Sequence, residues 1–237
     1  MKRNKLSRTG LVIVFATLIV VLVFGRAEAQ YGDSYTRMLN TTMVASQSLF
    51  RAQTAVNQQR SNMARAAGQS SANTGTAQQQ PMRQYPITAT DFQALSAPIV
   101  PDQLANSATG VEPQAREQMR QYFLQVLSNF NSAARKNNMA NAFAFITGVA
   151  LQIKTGKEVN EAKTDQLIAY FNNTIAAAPE YYTLTPYKQQ VLYESLIITG
   201  GIIALLETQG KQTNNQQALT QAKQMSDTVL KTFLGMQ

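Results

Sequence analysis

The sequence predicts an all-α protein: a five-helix bundle in the C-terminal half, preceded by an extended Pro-containing strap, a flexible linker and a weakly amphipathic N-terminal helix. Three observations carry that reading. From Pro113 onward, apolar residues recur at helical spacing and nowhere alternate as in a half-buried strand. Capping residues bound each periodic stretch. Ahead of Pro113 the pattern gives way to proline-punctuated sequence, then to a Ser/Gly/Gln/Asn-rich run, then to sparse apolar residues.

Residues 1–29 read as a secretory signal peptide. MKRNKLSRTG is basic, LVIVFATLIVVLVFG is apolar, and Ala27-Glu28-Ala29 puts small residues where a signal peptidase cuts, which sets the mature N-terminus at Gln30. The apolar run, residues 11–25, has 15 residues, fewer than the roughly 20 of a spanning helix. A retained anchor is the competing reading, and a membrane partner is expected only in that case. The expected location is the periplasm or the exterior after cleavage near Ala29. No Cys is present, so a lipoprotein anchor, a disulfide framework and a thiol nucleophile are all excluded.

Residues 30–67 form the N-terminal helical segment, with Ser34 as an N-cap and a weak apolar face of Met38, Met43, Leu49, Val56 and Met63. Residues 68–84 form the flexible linker: GQSSANTGTAQQQP holds no apolar residue larger than Ala, so nothing offsets the entropy of ordering it. Residues 85–112 form the strap. Pro86, Pro98 and Pro101 disfavour helix at the residues before them, so the segment is expected to be extended. Its apolar residues Ile87, Phe92, Leu95, Ile99, Val100 and Leu104 are too many for a free tail and are expected to lie across the following domain. A partner-binding arm is the functional alternative.

Residues 113–237 form the bundle. Met119, Tyr122, Phe123, Val126, Leu127 and Phe130 make one stripe behind Pro113, which suits a first helical turn. A second helix over 138–155 places Phe143, Ile146, Val149, Ala150 and Ile153 on one side and stops at Gly156. The third, 160–178, turns Leu167, Ile168, Phe171 and Ile175 inward and ends before Pro179. Thr185-Pro186 opens the fourth, which reaches Gln209 with Gly210 as its C-cap. The fifth starts near Asn214 or Asn215 and buries Leu219, Ala222, Met225, Val229, Leu230 and Phe233.

Composition narrows the chemistry. With no His and no Cys, no Ser-His-Asp triad and no histidine- or thiolate-bound metal can form. Residues 1–29 hold five of the 21 cations and one of the 13 anions, leaving a net charge of +4 spread over the rest. No basic stripe with interleaved aromatics accompanies it, so no nucleic-acid partner is expected. No catalytic residue, cofactor or metal is assigned. Lys157, Glu158, Glu161, Lys163 and Asp165 read as solvated helix ends, and Tyr181-Tyr182 as a cover for one end of the bundle.

The candidate site lies in LIITGGIIALL, within the fourth helix. Gly200 and Gly201 each cost about 1 kcal/mol of helix propensity relative to Ala. A neighbouring helix or the strap lying against bare backbone would offset that cost; a ligand groove is the alternative. Ser195 and Thr199 sit near the buried face and can bond back to carbonyls one turn earlier. Glu194, at the edge of the apolar arc, is the one carboxylate placed for acid–base work, although pairing with a Lys or a Tyr hydroxyl is the plainer reading. Only 12 residues separate Glu194 from Glu207, which on length rules out a lipid-spanning helix.

ITATDF, APIVPDQLANS, ARKNNMANAFAFITGVALQIKTGKEV and YESLIITGGIIALL resemble those of a family of uncharacterised secreted bacterial α-helical proteins, a domain of unknown function. The resemblance covers about residues 87–234. It implies a helical exported protein and assigns no catalytic or ligand residues. The function expected is therefore an exported, non-enzymatic domain that binds or scaffolds in the cell envelope, with an unknown protein partner reached through the strap or the N-terminal helix. The alternatives are a carrier of a small apolar ligand in the bundle and an enzyme using the partly buried carboxylate.

Overall fold

The computed structural model describes residues 84–108 and 111–236. The signal peptide, the N-terminal helical segment and all of the linker but Gln84 lie outside the described residues. The described chain is helical and without a named strand. A 3-10 turn, Ile87–Thr90, is followed by α1 (Val100–Ser107), α2 (Pro113–Ala133), α3 (Met139–Thr155), α4 (Glu161–Ala176), the one-turn α5 (Pro179–Tyr182), α6 (Pro186–Thr213) and α7 (Gln216–Leu234).

Local chemistry sets the helix ends. Asn138 caps α3 by accepting from the Asn141 amide, Asn160 caps α4 by accepting from Lys163, and Thr185 caps α6 by accepting from Lys188, each as an N-cap oxygen serves an otherwise unpaired N–H. Gly156 and Gly235 close α3 and α7 in the left-handed region that glycine adopts without strain. Between α4 and α6 the chain makes one extra turn, α5, because Pro179 fits a first helical position.

Two boundaries differ from the sequence reading. Gly210 does not cap α6; the helix runs on to Thr213 and closes at Asn214, whose φ of 54° is one that asparagine tolerates. Gly210 is instead a contact point, since a Cβ there would stand 2.8 Å from Leu219 Cδ2 of α7. The strap is not extended throughout: residues 100–107 form α1. Pro101 occupies its first turn, where a proline loses no hydrogen bond, so the prolines start this helix rather than forbid it.

α3 is the centre of the bundle and packs against α6, α7 and α4, while α6 also packs against α7 and α2. The apolar stripe read for α3 is too narrow. Met139, Ala140, Ala142 and Ala144 are buried as well as Phe143 and Ile146, so the helix is enclosed on nearly every side over residues 139–150. Phe143 stacks on Phe171 of α4 at 5.4 Å and meets Phe233 of α7 edge-on at 4.9 Å, which ties three helices through one ring. α6 is long and apolar enough to cross a membrane by length and composition, so the length argument made from Glu194 and Glu207 does not hold. What distinguishes this helix is that 72% of its most apolar window is buried inside the fold.

The paired glycines let α6 approach two neighbours. A Cβ on Gly200 would stand 2.6 Å from Phe145 Cε1 and 3.4 Å from the Ile146 backbone of α3; one on Gly201 would stand 2.7 Å from Val126 Cγ1 of α2. The close partners are thus two helices and not the strap. Gly148, in α3, is buried but has nothing within 4 Å of its Cβ position. Opposite outcomes follow for one substitution. Gly148→Ala should raise stability by about 1 kcal/mol through helix propensity. Gly201→Ala should lower it, because overpacking against the stiff Val126 costs about 1–3 kcal/mol. Chemical denaturation of both variants checks this, and equal shifts would contradict the packing described.

Candidate functional site

An irregular segment laid across helices has no sheet partner, so its amides and carbonyls must find side chains. Residues 85–100 find them in a row of buried polar groups on α3, α4 and α6. At the start, Tyr85 N donates to Asn173 Oδ1 at 2.9 Å, and Asn172 Nδ2 donates to the carbonyls of Tyr85 and Pro86 at 3.0 and 3.1 Å. Thr90 is fully buried; its hydroxyl donates to Asn172 Oδ1, and its carbonyl accepts from the Tyr181 hydroxyl at 2.9 Å. Asn138 caps α3 with its oxygen while its Nδ2 donates to the Ile87 carbonyl at 2.8 Å, and Asp91 forms an antiparallel bridge with it.

Further along, Gln190 and Glu194, one turn apart on α6, read the strap from Leu95 to Val100. Gln190 Oε1 accepts from Leu95 N at 2.6 Å, and its Nε2 donates to the Ala97 carbonyl at 2.7 Å. Glu194 Oε2 accepts from the Ile99 and Val100 amides, both at 2.8 Å, and Oε1 accepts from Gln190 Nε2 at 2.7 Å. Ile99 and Val100 begin α1, whose N-cap position holds Ile99 and has no capping side chain of its own. Glu194 supplies that cap from another helix, and a carboxylate at a helix N-terminus is favoured by the aligned peptide dipoles.

The sequence placed Glu194 beside a Lys or Tyr hydroxyl; its partners are instead two backbone amides and a glutamine. Thr199 also differs from expectation: its buried hydroxyl has no hydrogen-bond partner, so no back-bond to the preceding turn forms. Ser195 is buried on the same helix, and Gly200 and Gly201 lie further along it against Phe145 and Val126. The five candidate residues therefore do not converge on one point. Glu194 faces the strap, while the glycines face α3 and α2.

Two residues that the sequence reading passed over, Asn172 and Gln190, carry much of the seam, together with Asn138, which the sequence marks only as a helix start. The signal that marks them is an amide side chain inside a periodic apolar stretch, as in YFNNTI and KQQVLY. Tyr181 does cover the bundle end, at 1% exposure, while Tyr182 stays largely exposed. Tyr193 donates to Asn131 Oδ1 at 2.6 Å and accepts from Asn137 N at 3.2 Å, with its ring edge-on to Phe92 of the strap at 5.1 Å. Burial pushes both phenols, Tyr181 and Tyr193, well above the ordinary tyrosine range. Each stays protonated and is fitted to donate a hydrogen bond, not to accept a proton. Among the described residues no three carboxylates gather as a metal site.

At the edge of the seam, Arg135 donates from Nε and Nη2 to the two oxygens of Asp91, at 2.8 and 2.5 Å. The Arg135 guanidinium holds the Asp91 carboxyl below the ordinary aspartate range, partial burial opposes this, and the Asn138 amide adds to the lowering.

The fold and seam define a class: a helical bundle with its own N-terminal strap locked over it by buried side-chain-to-backbone hydrogen bonds. The chain belongs to a family of unknown function, DUF6683, whose family model matches residues 8–237. That match extends the resemblance read for residues 87–234 forward, to a point ahead of the apolar run. No curated protein and no solved structure matches the chain.

Two predictions follow from the seam. Glu194→Gln should destabilise the fold by about 1–3 kcal/mol, because its new amide would face Gln190 Nε2, which the Ala97 carbonyl holds in place. Hydrogen exchange at Ile99 and Val100 should speed up in the same variant, and unchanged protection would contradict the cap. A carboxyl lowered by folding stabilises the fold above its unfolded-state pKa, near 3.8, and that contribution is lost as pH falls through the folded value. Asp91→Asn should therefore flatten the acid limb of melting temperature against pH while leaving its neutral-to-basic shape unchanged.

Proposed function

We propose that the protein is an exported, non-enzymatic helical domain that binds or scaffolds another protein in the cell envelope. The observation that carries this reading is the commitment of the polar core to the strap. Glu194, Gln190, Asn172 and the Tyr181 hydroxyl, the groups from which chemistry would be built, each spend their hydrogen bonds on strap backbone. Catalysis needs several convergent groups free to meet a substrate. Here the buried carboxylate is enclosed by three N–H donors, and the buried phenols are held protonated.

The outer side of the same strap supports a contact role. Leu95 is 45% exposed although its amide is anchored on Gln190, and Tyr187, in the first turn of α6, is 47% exposed with its hydroxyl accepting from Gln103. Rigidly held apolar side chains in contact with water suit a binding surface. Export is supported by the basic, apolar, Ala-Glu-Ala order of the leading residues.

Fractionation with N-terminal sequencing tests the first half: the expected result is a chain in the envelope or the medium beginning at Gln30, and an intact Met1 in the cytosol would overturn it. Native mass spectrometry of protein purified from the envelope tests the second. A partner chain at fixed stoichiometry, lost on Leu95→Asp with the melting temperature unchanged, is expected. A retained small molecule with no partner chain would favour the carrier reading instead.

A further inference from the structure

The strap does more than cover the bundle, because its first residues wall a cleft. Tyr85 and Ile87 form one side, α4 forms the other, and Arg135 and Asn141 complete it, outlining an open cleft of about 450 Å³. That volume falls within the roughly 300–1,000 Å³ of small-molecule sites. The cleft lies apart from the Glu194–Gln190 end of the seam, and what lines it is chemically mixed.

Asn172 in its lining is spent on Tyr85, Pro86 and Thr90, but four other polar groups there keep hydrogen-bonding valence. Asn141 uses Nδ2 on Asn138 and keeps its oxygen as an acceptor; Asn173 uses its oxygen on Tyr85 N and keeps its amide as a donor. Arg135 spends Nε and Nη2 on Asp91 and retains Nη1. Asp165, exposed on α4, holds no partner among the described residues and offers two acceptor oxygens. Donors and acceptors thus share one small space in which Asp165 is the one unbalanced charge, since Asp91 already neutralises Arg135. An anion would meet the unpaired Asp165, and a cation would find a single exposed carboxylate.

Hydroxyl groups, which donate and accept at once, match such a set. The Tyr85 ring and the side chain of Ile87, 40% exposed, add an apolar wall suited to the C–H face of a sugar ring. We propose that this cleft binds a short neutral saccharide, oriented by Asp165, Asn141 and Asn173. The inference goes beyond the binding role argued above and does not depend on export or on a protein partner.

Titration of the isotope-labelled full chain with maltotriose and with triacetylchitotriose, followed by NMR, tests it; the charged triglucosamine and trigalacturonate serve as controls. The expected result is saturable shifts of the Asn141 and Asn173 side-chain amides with at least one neutral sugar. Asp165→Ala should weaken binding about tenfold, as loss of a hydrogen bond to a charged group does, with an unchanged melting temperature. Ile87→Glu, on the exposed wall, should weaken it as well. Absence of saturation by either neutral sugar up to its solubility limit, saturation by a charged sugar alone, or full affinity in both variants would overturn the proposal.

Discussion

The bundle closes because α6 offers bare backbone where α2 and α3 press against it. With Phe145 and Val126 both closer than a Cβ would permit, the Gly200–Gly201 pair fixes how near the three helices can lie, and hence how completely α3 is enclosed. The glycines lower helix propensity, but the flanking Leu196, Ile197, Ile198, Ile202 and Ile203 are at most 1% exposed, and their burial outweighs that cost. The same closeness brings the Tyr122 hydroxyl within 3.4 Å of the Gly201 carbonyl.

With that core in place, the strap meets a surface whose polar groups are already positioned. Asn138, Asn172, Gln190 and Glu194 stand on three different helices, yet each presents donors or acceptors to consecutive stretches of one segment. Burying so many polar side chains would be costly if any were left unmatched, and the strap backbone matches them. Bundle and strap therefore complete one another: the strap satisfies the seam, and the seam orders a segment whose regular structure ahead of α1 is one 3-10 turn. This arrangement bears directly on function. The buried groups are locked into this lattice, whereas the outer face of the strap and the cleft at its beginning are in contact with solvent.

Much of this architecture is legible in the residues. The stripe from Met119 to Phe130 is buried at every position read from its spacing, and Asn138, Asn160, Thr185 and Asn215 cap helices at the places their side chains suggest. Local rules account for that success, since a cap or a stripe depends on residues within a few positions. The misreadings share the opposite property. Gly210 has the look of a terminator, but the atom that explains it belongs to Leu219 of the next helix. Pro98 and Pro101 suggest an extended chain, but the cap that lets a helix start at Val100 comes from Glu194, 94 residues away.

The sequence alone determined the helical class, the order and approximate bounds of the long helices, and the absence of thiol and imidazole chemistry, and it singled out the double glycine while leaving close approach and a ligand groove both open. It could do so because periodicity, capping and composition act over a turn or two of chain. Which helices the glycines admit, what a buried carboxylate holds, and where the strap leaves a cleft were decided only by the tertiary structure. Those outcomes rest on hydrogen bonds and contacts between groups about 50 to 95 residues apart, whose pairing no local pattern encodes.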